Sequence, residues 1–279
     1  MNRTHREYGW NKATVLTLRN NNGSPRNGVG MLKDLALRLT GARKNGRANS
    51  PWSLPPQVKD LINTVRPYTM VDPLRLAMLH QLAQEITVSG DVVECGVCNG
   101  GSAAVLARAI RSNSTRSLWL YDTYQGMPPP TTKDGPDADA YTGRVVGSVD
   151  RVKEVLALVE FPTERTVFRK GAFKDSFKEP IPQSIALLHI DADWYDGVLG
   201  ALTTFYHLIP DGGFVILDDF GHWEGAREAF YEFCTRFNTR PVLERLGYTQ
   251  AFWRKGQTHN RSIAKRFSHG MYGLGVDNF

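Results

Sequence analysis

Residues 91–102, DVVECGVCNGGS, predict a strand, a glycine-rich turn and the start of a helix. The run Asp91–Cys95 has the length and apolar character of a buried strand, and Ser102–Arg111 has helical spacing. Glycine allows backbone conformations and close approaches that other residues do not. The free N–H groups at a helix start attract a carboxylate or a phosphate. We therefore expect residues 96–101, the glycine turn, to bind a cofactor.

The same alternation of strand and helix continues along the chain. It implies parallel strands joined by crossover helices. The predicted fold is α/β, a Rossmann-like, mostly parallel, doubly wound sheet that ends in an antiparallel strand pair. The other predicted strands are 117–122, 166–169, 185–191, 213–217, 242–245 and 250–254, and the other predicted helices are 58–65, 73–86, 149–158, 196–208 and 225–236.

Charge is distributed unevenly over the 279 residues, whose formal net charge is +6. Residues 1–55 form a basic segment, which we interpret as a flexible arm or lid with a short helix at Met31–Leu39. Residues 56–254 form the predicted enzyme domain, and residues 255–279 a basic tail. Because the basic residues lie in polar termini and not beside the predicted chemistry, we expect no nucleic-acid partner.

No apolar run reaches the roughly 18 residues of a membrane span, and the N-terminus lacks the apolar core of a secretory signal. We therefore expect a cytoplasmic protein with no membrane span, and the sequence is compatible with a homodimer. The three cysteines form no disulfide framework. Cys95 and Cys98 are spaced C-x-x-C, but a zinc site needs two further ligands, so redox or zinc use is disfavoured.

Acidic residues follow two successive predicted strands, Asp191 and Asp193 after the first and Asp218 and Asp219 after the second. We call these four residues the acidic cluster. Neighbouring strands lie about 5 Å apart, so the carboxylates can converge on Mg²⁺ or a similar cation, which prefers oxygen ligands. The alternative is that they are ordinary loop residues, and Asp196 is predicted to cap a helix.

Further candidates lie at the same predicted edge of the sheet. Asp122 ends the second strand, 28 positions after Glu94, where an acidic side chain accepts hydrogen bonds from ribose hydroxyls. The absence of G-x-G-x-x-G disfavours a nicotinamide oxidoreductase. Four rings could form a platform for an acceptor molecule or could pack beneath the loops. They belong to Trp194, Tyr195, His222 and Trp223.

Over roughly residues 65–254 the chain resembles the macrocin and novobiocin type of sugar O-methyltransferases. The resemblance is carried by YTM at 68–70, VVECGVCNGGSA, LYDTYQGMP, GAFKDSF, HIDADWYDG, DGGFVILDDFGHWEGAREA and YTQAFW, in that order. The chain departs from the family pattern at Cys98-Asn99, where the family commonly has Trp-Arg, and at Gly197-Val198, where the family commonly has Ser-Thr.

The resemblance implies a class I methyltransferase fold, an S-adenosylmethionine donor and Mg²⁺ held by Asp191, Asp218 and Asp219, with Asp193 as general base. It also implies that Met70 lies over the cofactor, that Ala172 and Phe173 lie near the adenine, and that further residues line the cofactor. Those residues are Glu94, Gly96, Gly101, Ser102 and Asp122.

The function predicted in this way is methyl transfer to a hydroxyl of a small molecule, namely a sugar of a glycosylated secondary metabolite. Two alternatives stay open. A catechol-type, metal-dependent methyltransferase would use a Lys as base, and neither acidic segment contains a Lys. A non-catalytic S-adenosylmethionine-binding protein would keep the fold without the reaction.

Overall fold

The computed structural model describes residues 54–257, and a seven-stranded sheet forms its centre. The strands are β1 (Asp91–Cys95), β2 (Leu118–Asp122), β3 (Thr166–Lys170), β4 (Ile185–Ile190), β5 (Phe214–Leu217), β6 (Glu244–Leu246) and β7 (Gln250–Arg254). Their order across the sheet is β3-β2-β1-β4-β5-β7-β6. The first five strands are parallel, and β7 runs antiparallel to both β5 and β6. The predicted fold class is confirmed.

Helices cover both faces of the sheet. They are α1 (Pro56–Val65), α2 (Pro73–Gln84), α3 (Gly101–Ile110), α4 (Val149–Leu158), α5 (Phe173–Ser176), α6 (Tyr195–Phe205) and α7 (Glu224–Arg236). Side chains alternate across a strand, so Val92 packs with the helices α1 to α4, whereas Val93 packs with α6 and α7. Within residues 54–257 no helix is long and apolar enough to cross a membrane.

The strand order reverses between β1 and β4, because β2 and β3 lie on one side of β1 and the later strands on the other. Ligands of open α/β sheets bind outside the carboxyl ends of the strands at such a point. The glycine turn follows β1, and the two acidic segments follow β4 and β5. The topology therefore brings the three predicted site segments to one edge of the sheet.

Most predicted elements lie within two residues of the observed bounds, and Asp91–Cys95, Val149–Leu158 and Gln250–Arg254 are unchanged. The strand expected at 242–245 is instead Glu244–Leu246, because pairing with β7 begins only at Glu244. The helix expected at 196–208 ends at Phe205 and continues as a 3₁₀ turn. The expected helix Met31–Leu39 and most of the arm and tail lie outside the described residues.

Candidate active site

A cleft of about 1320 Å³ opens at the carboxyl ends of the parallel strands. Its wall includes residues 96–99 of the glycine turn, the start of α5 and all four residues of the acidic cluster. Pockets for one drug-sized ligand usually have volumes of about 300–1,000 Å³. This cleft therefore has room for two ligands side by side.

The glycine turn is held in shape by a carboxylate. Asp122 accepts hydrogen bonds from the backbone N–H groups of Val97 (2.7 Å) and Cys98 (2.8 Å), and its other oxygen accepts one from Tyr124 N–H (2.6 Å). Asp122 therefore has a structural task in the turn. It also lies in the cleft wall, and its contact with a ribose stays a prediction.

The glycines of the turn make room for protein atoms. A Cβ on Gly96, whose φ is +86°, would lie 1.8 Å from the backbone oxygen of Asp191, and one on Gly101 would lie 2.6 Å from Cβ of Thr69. Neither distance is physically possible for a real side chain. Gly96 thus lets β1 and the acidic segment after β4 approach each other.

Six of the expected cofactor residues lie in the cleft wall: Met70, Gly96, Ser102, Asp122, Ala172 and Phe173. The other two do not. Gly101 packs under Thr69, and Glu94 is fully buried beneath the turn. Their positions in the first strand and the first helical turn place them behind the wall, and their contact with the cofactor stays a prediction.

Glu94 forms a buried pair with His189, its direct neighbour on β4. The imidazole Nδ1 lies 2.9 Å from Glu94 Oε1, and its Nε2 lies 4.0 Å from Asp218 Oδ1. Burial lowers the pKa of His189, but Asp218 and Glu94 outweigh it and raise the pKa to about 9. His189 is therefore a cation between two acids at neutral pH.

The structure brings together one carboxylate oxygen each from Asp191, Asp218 and Asp219, all within 4.8 Å of one another. Two backbone bonds align their strand ends, from Asp191 N–H to Cys95 O (2.8 Å) and from Asp218 N–H to Ile190 O (2.9 Å). Three oxygens at this spacing can surround one hard cation. In residues 54–257 this is the one group of three or more potential metal ligands.

Electrostatics supports a positive partner for these carboxylates. Burial, and then repulsion from Asp218 and the other acids, raises the pKa of Asp191 well above the ordinary value. Burial and the charge of Asp219 do the same for Asp193, and burial and Asp218 raise the pKa of Asp219. Bringing like charges together is costly unless a cation or a proton compensates them. The positive groups of the chain do not fully compensate the negative charge of these carboxylates.

Asp218 is the exception, because protein groups already bind both of its oxygens. Oδ2 pairs with the Arg75 guanidinium, and Oδ1 accepts a bond from the Gln250 amide (2.9 Å). Burial disfavours the charge of Asp218, but His189 and then Arg75 outweigh it, and its pKa is lowered. The Asp218 side chain is therefore an anion at neutral pH.

Arg75 and His189 were not predicted as site residues from the sequence. Each had a signal, since Arg75 is the one fully charged residue within the helix Pro73–Gln84, and His189 interrupts the apolar run of β4. A charged or titratable side chain in an otherwise apolar element usually has a buried partner. The partner itself could not be read from the sequence.

Asp193 lies in a tight turn between β4 and α6, with a left-handed φ of +55°. Its Oδ1 accepts a hydrogen bond from the Trp223 indole N–H at 3.0 Å. Trp223 also packs edge-to-face on Trp194, with ring centroids 4.8 Å apart, and on His222 at 4.6 Å. These three rings lie in the cleft wall, where their contact with an acceptor stays a prediction.

Two expectations for the start of α6 are corrected. Tyr195 does not line the cleft, because its hydroxyl donates to Glu232 and the Lys133 ammonium lies 3.8 Å from its ring centre. Asp196 is not a cap, since it stands inside the first turn and makes no capping hydrogen bond. Asp134, from the loop after β2, accepts a bond from Tyr195 N–H at 2.6 Å instead.

The cysteines make no metal site within the described residues. Cys95, Cys98 and Cys234 are free thiols, and none belongs to a group of potential metal ligands in that range. Burial is the main cause that raises the pKa of Cys95 and of Cys98, so both thiols keep their protons at neutral pH. Reactive cysteines have lowered pKa values instead.

Comparison with known proteins agrees with this architecture. Residues 57–255 match the family model described as macrocin-O-methyltransferase. Mycinamicin III 3''-O-methyltransferase of Micromonospora griseorubida is 30% identical over 202 residues, which cover 67% of this chain and 78% of the relative. Demethyldecarbamoylnovobiocin O-methyltransferase of Streptomyces niveus is 26% identical over 204 residues, which cover 67% and 76%.

Among solved structures, the O-methyltransferase NovP superposes with a TM-score of 0.63 at 26% identity, covering 68% of this chain and 83% of NovP. The calicheamicin methyltransferase CalS11, at 20% identity and a TM-score of 0.58, shares the fold. The family match spans the sheet, the glycine turn and the acidic cluster. The chain therefore belongs to the macrocin O-methyltransferase family and is an O-methyltransferase.

Proposed function

We propose that this enzyme transfers a methyl group from S-adenosylmethionine to a sugar hydroxyl of a glycosylated small molecule, with Mg²⁺ or a similar ion held by Asp191, Asp218 and Asp219. Asp193 is the proposed general base. One observation carries the proposal: the glycine turn and the converging carboxylates line the same cleft. The methyl donor and the methyl acceptor can therefore lie next to each other between the glycine turn and the carboxylates.

The wall of the cleft supports the donor. Ser102 lies in the first turn of the helix after the glycine turn, and Asp122 ends the adjacent strand, so N–H donors and a carboxylate are available for the two ends of a nucleoside cofactor. Met70, 72% exposed, would cover it, and Ala172 and Phe173 would flank the adenine. S-adenosylmethionine would supply the methyl group as a sulfonium.

The acidic cluster supports the cation. Together with Glu94 the cluster contributes five carboxylates, against which stand the two positive groups Arg75 and His189. A divalent cation would offset most of the remaining negative charge, and the donor set consists of hard oxygens. Such an ion would act as a Lewis acid and lower the pKa of an acceptor hydroxyl.

The chain's own base completes the reaction. Asp193 Oδ1 accepts a hydrogen bond from Trp223, and the carboxyl also interacts with Asp219; we assign the second oxygen to the acceptor hydroxyl. As the hydroxyl oxygen bonds to the methyl carbon and the carbon–sulfur bond breaks, the hydroxyl proton passes to Asp193. A carboxylate whose pKa is raised by burial and by Asp219 is a better proton acceptor than an exposed one.

The acceptor is inferred from relatives, whose names specify demethyldecarbamoylnovobiocin, mycinamicin III and a rhamnosyl derivative of tetracenomycin C. The catechol-type alternative expects a Lys as base. The side chain paired with Asp218 of the acidic cluster is Arg75, and an arginine guanidinium does not act as a general base in proteins. This favours a sugar acceptor. The cytoplasmic location and the homodimer stay predictions.

The test incubates the full chain with S-adenosylmethionine, Mg²⁺ and either mycinamicin III or demethyldecarbamoylnovobiocin, and measures the gain of one methyl group by mass spectrometry. EDTA should abolish the gain and excess Mg²⁺ should restore it. Activity that is insensitive to EDTA would contradict the metal. Calorimetry that detects no S-adenosylmethionine binding would overturn the donor.

Asp193→Asn should lower turnover by about 10²–10⁴-fold, the usual contribution of a general base, and leave S-adenosylmethionine binding intact. Asp60→Asn, the same charge change at an exposed position of α1, should have no effect. Wild-type turnover in Asp193→Asn would remove Asp193 from the mechanism. Bound cofactor and metal without turnover on any acceptor would favour the non-catalytic alternative.

A further inference from the structure

Trp223 is buried beside the proposed base, with 9% of its surface exposed. Its indole N–H donates to Asp193 Oδ1 at 3.0 Å. The ring itself is held by edge-to-face contacts with Trp194 and with Tyr141, whose centroid is 5.2 Å away at an interplanar angle of 80°. With so little of its ring exposed, Trp223 offers an acceptor only a small stacking surface.

Asp193 needs external support for its orientation. Its left-handed φ of +55° is uncommon for a residue other than glycine. The next two residues are fixed by other bonds, because the Trp194 indole donates to Pro128 O (2.8 Å) and Tyr195 N–H donates to Asp134 (2.6 Å). Trp223 donates a hydrogen bond to the Asp193 carboxylate, which also interacts with its acidic neighbour Asp219.

We propose that Trp223 is a positioning residue for the general base. Its N–H occupies Oδ1 and turns the other carboxylate oxygen toward the acceptor hydroxyl. This role rests on the proposed function and differs from the stacking platform expected from the sequence. A platform residue contributes to acceptor binding, whereas a positioning residue contributes to the chemical step.

Kinetics separates the two roles. Trp223→Phe keeps an aromatic ring and removes the N–H. The loss of a hydrogen bond to a charged group predicts a fall in kcat of roughly 10- to 100-fold, with the acceptor KM and the S-adenosylmethionine Kd changed less than about 2-fold. A raised KM with unchanged kcat, or wild-type kcat, overturns the proposal.

Trp119→Phe is the matched control. The Trp119 indole also donates to a carboxylate, Asp91 Oδ2 at 2.8 Å, but neither residue lies in the cleft wall. This variant loses the same kind of bond and should keep the wild-type kcat. An equal loss of kcat in both variants would show a general structural effect and overturn the assigned role.

A spectroscopic readout does not depend on the acceptor. In ¹⁵N-labelled protein the Trp223 indole N–H resonance, identified by its loss in Trp223→Phe, should shift in Asp193→Asn, and the Trp119 resonance should not. If Trp223→Phe does not fold, the test uses the other two variants. Asp193→Asn must then shift an indole N–H resonance that is still present in the spectrum of Trp119→Phe. No movement overturns the contact.

The two proposals fail in different ways. A wild type that transfers no methyl group to either acceptor overturns the proposed function, whatever the indole resonances do. An active wild type whose Trp223→Phe variant keeps its kcat overturns the positioning role alone.

Discussion

Asp134 should be among the most important single side chains for stability outside the apolar core. It is 1% exposed and lies in the loop between β2 and α4. Its Oδ1 accepts from Tyr195 N–H (2.6 Å), and its Oδ2 accepts from the backbone N–H and hydroxyl of Thr131 (2.6 and 2.8 Å). It thereby joins the loop that walls the cleft to the helix that follows Asp193.

Asp134→Ala should lower the free energy of unfolding by about 3–6 kcal/mol. A hydrogen bond to a charged acceptor contributes about 1.5–3 kcal/mol, and two backbone donors lose such a partner in a buried place. Whole domains are stable by only about 5–15 kcal/mol. The variant should therefore be partly unfolded at 37 °C.

The assay is urea unfolding at 25 °C, followed by circular dichroism and by tryptophan fluorescence. Asp134→Asn keeps one acceptor oxygen and should lose about half as much stability. Asp137→Ala, an exposed residue of the same loop, should change stability by less than about 0.5 kcal/mol. A loss below about 1 kcal/mol in Asp134→Ala, with an unchanged m-value, would refute this reasoning.

Two further predictions concern the metal and the glycine turn. Because the pKa values of Asp191, Asp193 and Asp219 are raised in the folded protein, their contribution to stability is complete below the ordinary carboxyl pKa and is lost as pH rises through the raised values. In EDTA the Tm should therefore fall as pH rises toward neutral. Mg²⁺ at about 100 times its Kd should restore about 2.7 kcal/mol of the free energy of unfolding, which corresponds to roughly 5–10 °C in Tm. A Tm that Mg²⁺ does not change at pH 7 speaks against the site. Gly96→Ala, whose Cβ would lie 1.8 Å from Asp191 O, should prevent folding as judged by circular dichroism. Gly143→Ala is the control, since its φ is +73° but no atom lies within 4 Å of the added Cβ, and it should lower the free energy of unfolding by only about 1 kcal/mol. A folded Gly96→Ala variant that still binds S-adenosylmethionine would contradict the close approach.

Local sequence patterns predict the helices and strands and the edge of the sheet at which the site segments meet. Hydrophobic periodicity and glycine placement are local properties, so Asp91–Cys95 and Val149–Leu158 were predicted with their observed bounds. Parallel strands share one carboxyl edge. For that reason Asp191 and Asp218 could be expected on the same side of the sheet from their positions after two buried strands.

The directions and contacts of individual side chains follow only from the folded arrangement. Glu94 follows the motif of a cofactor residue, yet the register of β1 against β4 places it beside His189. Trp223 and Tyr195 looked alike as aromatic candidates, but one donates to Asp193 and the other faces Glu232.

The physical reason is the range of the interactions. The pairs Arg75–Asp218 and Asp134–Tyr195 join residues 143 and 61 positions apart, and no local pattern encodes such a partner. Strand register and helix orientation select these contacts through the packing of the whole core. The residue types of the site and its location at the carboxyl edge of the sheet therefore follow from the sequence, whereas the role of each carboxylate and ring follows from the fold.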